Sequence, residues 1–137
     1  MKTKLLVFLT LALTTIGLTA SINDSMNSAA ANSPFVGTWQ TKWQRATDKT
    51  IATAPITVRT DSGKATDLDG TVEVPGANGA MFGSLSADGK TWSGNWWNPD
   101  GVRGTFTFTL RGVDGKSFSG SYTQVGADGK FDWSGTR

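Results

Sequence analysis

The residues best equipped for chemistry in this chain are its rings: six tryptophans, one tyrosine and seven phenylalanines among 137 residues. Three of the indoles crowd into KTWSGNWWN, Lys90 to Asn98. An indole offers a flat apolar face for stacking on planar molecules or sugar rings, and one N–H donor at its edge. The usual catalytic groups are scarce. There is no histidine and no cysteine, which removes the commonest general base, thiolate nucleophiles, disulfides, cysteine–metal sites and a lipid anchor on an N-terminal cysteine. Glu73 is the only glutamate, and its face-sharing neighbour Asp69 lies four residues away, too far along a strand for direct coupling. No G-x-S-x-G elbow occurs. The expectation is a protein that is not an enzyme, with no catalytic residue, no cofactor and no metal site.

The aspartates support that expectation. Asp-Gly recurs at 88–89, 100–101, 114–115 and 128–129, where turn chemistry accounts for it without calcium. Asp67 and Asp69 resemble a D-x-D-G loop, but both fall on the polar face of an inferred strand.

The elements that position the rings follow from a repeat of the form apolar-x-Gly-x-large. It occurs seven times, at Phe35–Trp39, Leu68–Val72, Met81–Leu85, Trp92–Trp96, Val102–Phe106, Phe118–Tyr122 and Trp133–Arg137. With period two, one face carries apolar residues and glycine while the other carries mostly Ser, Thr, Asn, Asp and Arg, the pattern of half-buried antiparallel strands. Eight strands are predicted, near 35–43, 52–60, 64–74, 79–86, 90–97, 102–112, 116–124 and 130–137. The fold class is all-β, an eight-stranded antiparallel up-and-down meander barrel, with an open sheet or β-sandwich as the alternative. Inward glycines permit the bending that a small closed barrel requires.

Turns predict the registers. An Asp88-Gly89 turn pairs Leu85 with Trp92, Gly83 with Gly94 and Met81 with Trp96, and a loop ending in Gly115 sets Leu110 against Phe118. An Asn78-Gly79 turn would place Leu85 opposite Val72 and Gly83 opposite Val74. A loop ending in Gly63 would match Ile56 with Leu68 and Val58 with Thr66.

Residues 1–20 read as a secretory signal peptide, with Lys2 and Lys4 before an apolar run too short to span a membrane. Residues 21–34 read as a flexible leader and 35–137 as one barrel domain. The expected location is therefore secreted or periplasmic. Of 13 basic and 11 acidic residues, losing Lys2 and Lys4 leaves eleven of each. No basic cluster interleaves with the rings, so no nucleic-acid partner is expected. Membrane insertion would require the pattern to be inverted, apolar outward, and the strands are short for a span.

Gly37-Thr38-Trp39 resembles the G-x-W opening of the calycins, the lipocalin and avidin-type barrels. That resemblance implies an arginine from the last strand packed over the tryptophan, so Arg137 against Trp39 is the implied barrel-closure contact. The lipocalin T-D-Y motif is not found and the tryptophans are not spaced as in avidin, so no biotin site is carried over. The chain also resembles secreted bacterial domains with glycine–aromatic strands ending in W-x-G-x-R, here Trp133 to Arg137.

Most inward rings are expected to fill the core. Four residues remain as ligand-binding candidates. Trp43 and Trp96 lie near strand ends at a barrel mouth, and Trp97 and Phe82 point outward, one diagonal step apart if Ala80 faces Trp97. The leading expectation is an exported binding protein that holds a small-molecule or carbohydrate ligand by aromatic stacking. The alternative is a structural or protein-interaction module of the cell envelope or matrix.

Overall fold

The computed structural model describes residue 30 and residues 32–61 and 64–137; the expected signal peptide (1–20) and most of the expected leader (21–34) lie outside the described residues. Eight strands follow one another around a closed barrel: β1 (Gly37–Gln44), β2 (Ile51–Thr60), β3 (Asp67–Val72), β4 (Gly79–Leu85), β5 (Thr91–Trp97), β6 (Arg103–Arg111), β7 (Ser117–Tyr122) and β8 (Phe131–Thr136). Every neighbouring pair is antiparallel, and β8 returns to β1 through Trp43↔Trp133 and Gln40↔Thr136. The meander barrel expected from the repeat is therefore the fold, and the open-sheet and sandwich alternatives are excluded.

Alternation sends the rings inward. Trp39, Trp92, Phe106, Phe108, Phe118 and Met81 are buried, whereas the outer positions of β5 to β7 are chiefly Thr, Ser, Asn and Arg. The apolar band that a membrane barrel turns to lipid faces the interior here. Glycines make the tight curvature possible. Gly83 and Gly94 face each other across β4 and β5, and a methyl group on Gly94 would collide with the Phe82 carbonyl and the Gly83 Cα.

The β4–β5 and β6–β7 registers agree with the turn chemistry, including Met81↔Trp96, Ala80↔Trp97 and Leu110↔Phe118. Two others differ. Val72 faces Gly79 and Leu68 faces Gly83, six residues from the expected β3–β4 pairing. The turn is Val74-Pro75-Gly76-Ala77, closed by Ala77 N–H to Val74 O at 3.0 Å, with Gly76 at φ +77°. Proline at the second position and a positive-φ glycine at the third define a type II turn, which displaces the Asn-Gly hairpin. In β2–β3, Ile56 faces Val72 and Val58 faces Gly70, four residues from expectation. This register sets Gly70 beside Trp92, where an added Cβ would lie 2.8 Å from the ring. Both shifts are even, so each residue keeps its face. The ladder stops at Pro55, which accepts from Glu73 N–H at 2.8 Å but has no N–H to return.

One end of the barrel is plugged. Phe35 is fully buried against Trp39, Trp92 and Phe118, at ring-centroid distances of 6.0–6.3 Å. Part of the region assigned to the leader packs with it. Ala30 and Ser33 are buried, and Ser33 O accepts from Val36 N–H at 3.0 Å. The packed unit thus begins before residue 35.

Candidate functional site

The other end of the barrel is open. A recess of about 520 Å³ is walled by Trp43, Trp96, Trp97, Tyr122 and Trp133, with Val72 and Val74 on the side of the β3–β4 turn. The 45–50 loop contributes Arg45, Ala46 and Thr47 to its rim, and the 98–102 turn contributes Asn98, Asp100 and Val102. A hollow of about 720 Å³ lies at the plugged end, between residues 32–34 and the 87–90 and 112–115 loops, but no ring lines it. The chemistry that the rings offer is therefore concentrated at the mouth.

Four of the wall rings are held by specific devices. Trp43 and Trp133 are cross-strand partners at the β1–β8 seam, with ring centroids 5.1 Å apart. Trp96 faces Gly104 on β6 and leans over it, donating from Nε1 to Thr123 O at 2.9 Å. A Cβ at position 104 would lie 2.9 Å from that nitrogen and strike the Thr123 carbonyl, so glycine holds the space the indole uses. Tyr122 packs edge-on against Trp96 at 5.5 Å, and its hydroxyl donates to Gln44 O at 2.8 Å. That bond ties the end of β1, where the entrance loop begins, to β7. Burial pushes the Tyr122 phenol up, and a backbone contact with Ala46 offsets part of the shift. Lys49, within the 45–50 loop at φ +63°, sets its ammonium 4.1 Å from the Phe131 ring centroid.

Trp43 and Trp96 therefore stand together in the recess, both part-buried. Trp97 and Phe82 are exposed, 45% and 46%, on the outer face. Neither packs against another ring among the described residues. Trp97 borders both the recess and an outer groove of about 520 Å³ that includes Asn95, Asn98, Arg103 and Thr105. Two wall residues, Tyr122 and Trp133, were expected only as core. Face alternation correctly placed them inward, but their position at the mouth depends on the closure register between β1 and β8, which no local turn encodes.

At the opposite end, the Arg137 guanidinium lies 4.7 Å from the Trp39 ring centroid and donates to Val36 O at 2.9 Å. Gly37 is at φ +126°, and a Cβ there would approach Arg137 Nη1 to 3.3 Å. Glycine, tryptophan and arginine thus form one closure contact.

Apart from Asp100 at the recess rim, the acidic groups of the described residues lie elsewhere. Ser84, donating at 2.6 Å, and Lys64 hold the Asp67 carboxyl below its ordinary range. Partial burial, together with Asp61 and Asp67, pushes Asp69 up. Among the described residues no group of His, Cys, Asp or Glu is arranged to hold a metal.

No protein-family model and no curated protein matches this chain. Solved structures do. The chain is similar to a redesigned β-barrel, b11L5F_LGL, with TM-score 0.64 and 16% identity over 79% of this chain and 95% of that one. A second redesigned barrel, mFAP1, bound to DFHBI, gives TM-score 0.64 and 17% identity over 79% of this chain and 99% of the other. A de novo designed fluorescence-activating barrel gives TM-score 0.61 and 16% identity over 80% of this chain and 97% of the design. At such identities the likeness is one of fold.

Proposed function

We propose that this chain is an exported, non-catalytic binding protein that takes a small planar molecule into the mouth recess. One observation carries the reading: the interior is packed with rings as far as Trp92 and Phe108, yet the mouth keeps a hollow of about 520 Å³ walled by Trp43, Trp96, Tyr122 and Trp133. That volume lies within the range of small-molecule sites, and its mainly apolar walls with a few polar groups have the usual composition. The binding of DFHBI by mFAP1, a barrel of the same architecture, supports the reading. Export rests on the signal-like residues 1–20. The Gly37, Trp39 and Arg137 contact supports kinship with the calycins. The described recess residues include one carboxylate, Asp100, which is exposed; acid–base catalysis by a carboxylate pair has no support there.

A second reading has its own observation. Trp97 and Phe82 are exposed beside Asn95 and Arg103, a surface suited to a carbohydrate ring or a protein partner. A tryptophan-fluorescence titration against planar metabolites, fatty acids and oligosaccharides separates the two. A saturable response lost in Trp96→Ala and kept in Trp97→Ala supports the recess; the reverse pattern supports the outer face. Silence across the panel from folded protein overturns both small-ligand readings in favour of a structural or protein-interaction module.

A further inference from the structure

Large apolar side chains that stay exposed are few among the described residues: Ile51, Phe82, Trp97, Val113 and Val125. Phe82, Trp97 and Val125 gather at one place. Trp97 and Val125 line the outer groove, and Phe82 is the cross-strand partner of Asn95, two residues before Trp97. Register sets polar groups directly beside the ring. Arg103 is opposite Trp97 on β6 and Thr105 is opposite Asn95, which places the Cβ atoms of each pair about 5 Å apart. The Thr105 hydroxyl is held by that of Thr123 at 2.7 Å. The Trp97 indole N–H, the Asn95 amide and the Arg103 guanidinium have no hydrogen-bond or ion-pair partner among the described residues. Arg103 is the one charged side chain on the groove's lining. Asp100 lines the mouth recess, and Asp69 stands beyond Phe82, three strands from Arg103.

An exposed indole edged by unpaired polar groups suits a pyranose, which lays its C–H face on the ring and keeps its hydroxyls at the edge. A protein partner needs a broader apolar centre, since stable interfaces bury more than about 1,000 Å². The lone, unpaired guanidinium makes the groove positive, and its planar fork matches a carboxylate through two parallel hydrogen bonds. We propose that the outer groove binds an acidic saccharide, a uronic acid or a chain containing one. Trp97 carries the sugar face, Arg103 takes the carboxylate, and Asn95 and Thr105 meet hydroxyls at the edge. This rests on the outer-face reading and is independent of the mouth recess.

The methyl glycosides of glucuronic, galacturonic and mannuronic acid test it against those of glucose, galactose and mannose. Each pair differs only in a carboxylate for a hydroxymethyl group. They are titrated into the full-length ¹⁵N-labelled protein at neutral pH. The indole N–H signals of Trp97 and of Trp43 are followed, since Trp43 lines the recess and not the groove. The expected result is a saturable shift at Trp97 with at least one uronide, and none at Trp43. That uronide should bind about tenfold more tightly than its neutral parent, the scale of one charge-assisted hydrogen bond. Added salt should shrink the preference. Arg103→Gln should abolish the preference and leave the weaker neutral binding, whereas Trp97→Ala, followed at the Thr105 amide, should remove both. Both side chains are exposed, so the variants are expected to fold. If sugars bind at Trp97 with no preference for the acid, or Arg103→Gln keeps that preference, the acidic class is wrong although the outer-face site stands. A shift at Trp43 instead of Trp97 would overturn the groove in favour of the recess. If none of the six binds to folded protein, the saccharide assignment fails and the face is left to a protein partner. The recess reading, tested with planar ligands, is untouched by that result.

Discussion

At one end of the barrel Phe35 and Trp39 are fully buried beneath the chain's own N-terminal segment; at the other, Trp43 and Trp96 remain part-buried around a hollow. Both ends are made of glycine–aromatic strands. The plugged end has extra material. Phe35 fills the volume between three rings, Trp39 Nε1 donates to Phe35 O at 2.7 Å, and Arg137 covers the Trp39 face. The mouth has turns and loops instead, and these close its perimeter without filling its centre. The same ring-rich strand becomes core or site according to whether another segment occupies the remaining space.

The largest effect should come from breaking the plugged end. Trp39→Ala is expected to cost about 3–5 kcal/mol in denaturant unfolding, as for a fully buried ring. Trp96→Ala should cost clearly less, because its ring is part-buried. Equal losses would mean that the mouth is as much core as the plug, and the contrast between the ends would collapse.

Ligand affinity should sort the other way. Trp96→Ala is expected to weaken binding of a planar ligand roughly tenfold, the upper scale of one aromatic stacking contact, while Phe35→Leu should leave affinity unchanged. Calorimetric titration of both variants checks this. A Phe35→Leu effect as large as that of Trp96→Ala would show that the two ends are coupled.

Arg137→Ala should remove about 1 kcal/mol, the scale of one exposed cation–π contact and one hydrogen bond. Arg137→Lys should restore only part, since an ammonium does not reproduce a flat guanidinium on a ring. Full recovery with lysine would reduce the closure contact to a point charge.

The smallest effects are those of pH. The folded-state pKa of Tyr122 is raised above its ordinary 10.0 by burial. Its contribution is therefore complete below that value and declines as pH rises through the higher folded value. Loosening of the 45–50 loop in strong alkali, absent in Tyr122→Phe, is the expected result by hydrogen exchange. Asp67, near the plugged end, has a lowered folded pKa, so its contribution holds above the ordinary carboxylate range and is lost as pH falls through the folded value. Asp69 is shifted the opposite way and offsets part of that loss. Ser84→Ala should flatten the acid limb of an unfolding curve. An unchanged limb would show that the Ser84 bond does not govern it.

Much of this was legible in local sequence. Period-two alternation assigned the faces of Trp39, Trp92, Trp96, Trp97 and Phe82, and Asp88-Gly89 gave the β4–β5 register because a two-residue turn leaves little freedom. The turn at Val74–Ala77 was misread: Asn78-Gly79 is a strong hairpin signal in isolation, but Pro75-Gly76 forms its own turn first. The Ile56 register depended on space for the Trp92 ring beside Gly70, a contact between strands that are distant in the chain.

By itself the sequence determined the strand count, the inward and outward sets and the lack of histidine and cysteine; the Arg137–Trp39 contact was foreseen only through the resemblance to the calycins. Side-chain period, residue chemistry and short-range turns are local properties, so they can be read without coordinates. Only the tertiary structure decided which inward rings became core and which became wall. That choice depends on where β8 meets β1, which brings Trp133 beside Trp43, and on Phe35 filling one end and not the other. Whether a space is filled depends on segments remote in sequence, and local pattern carries no record of them.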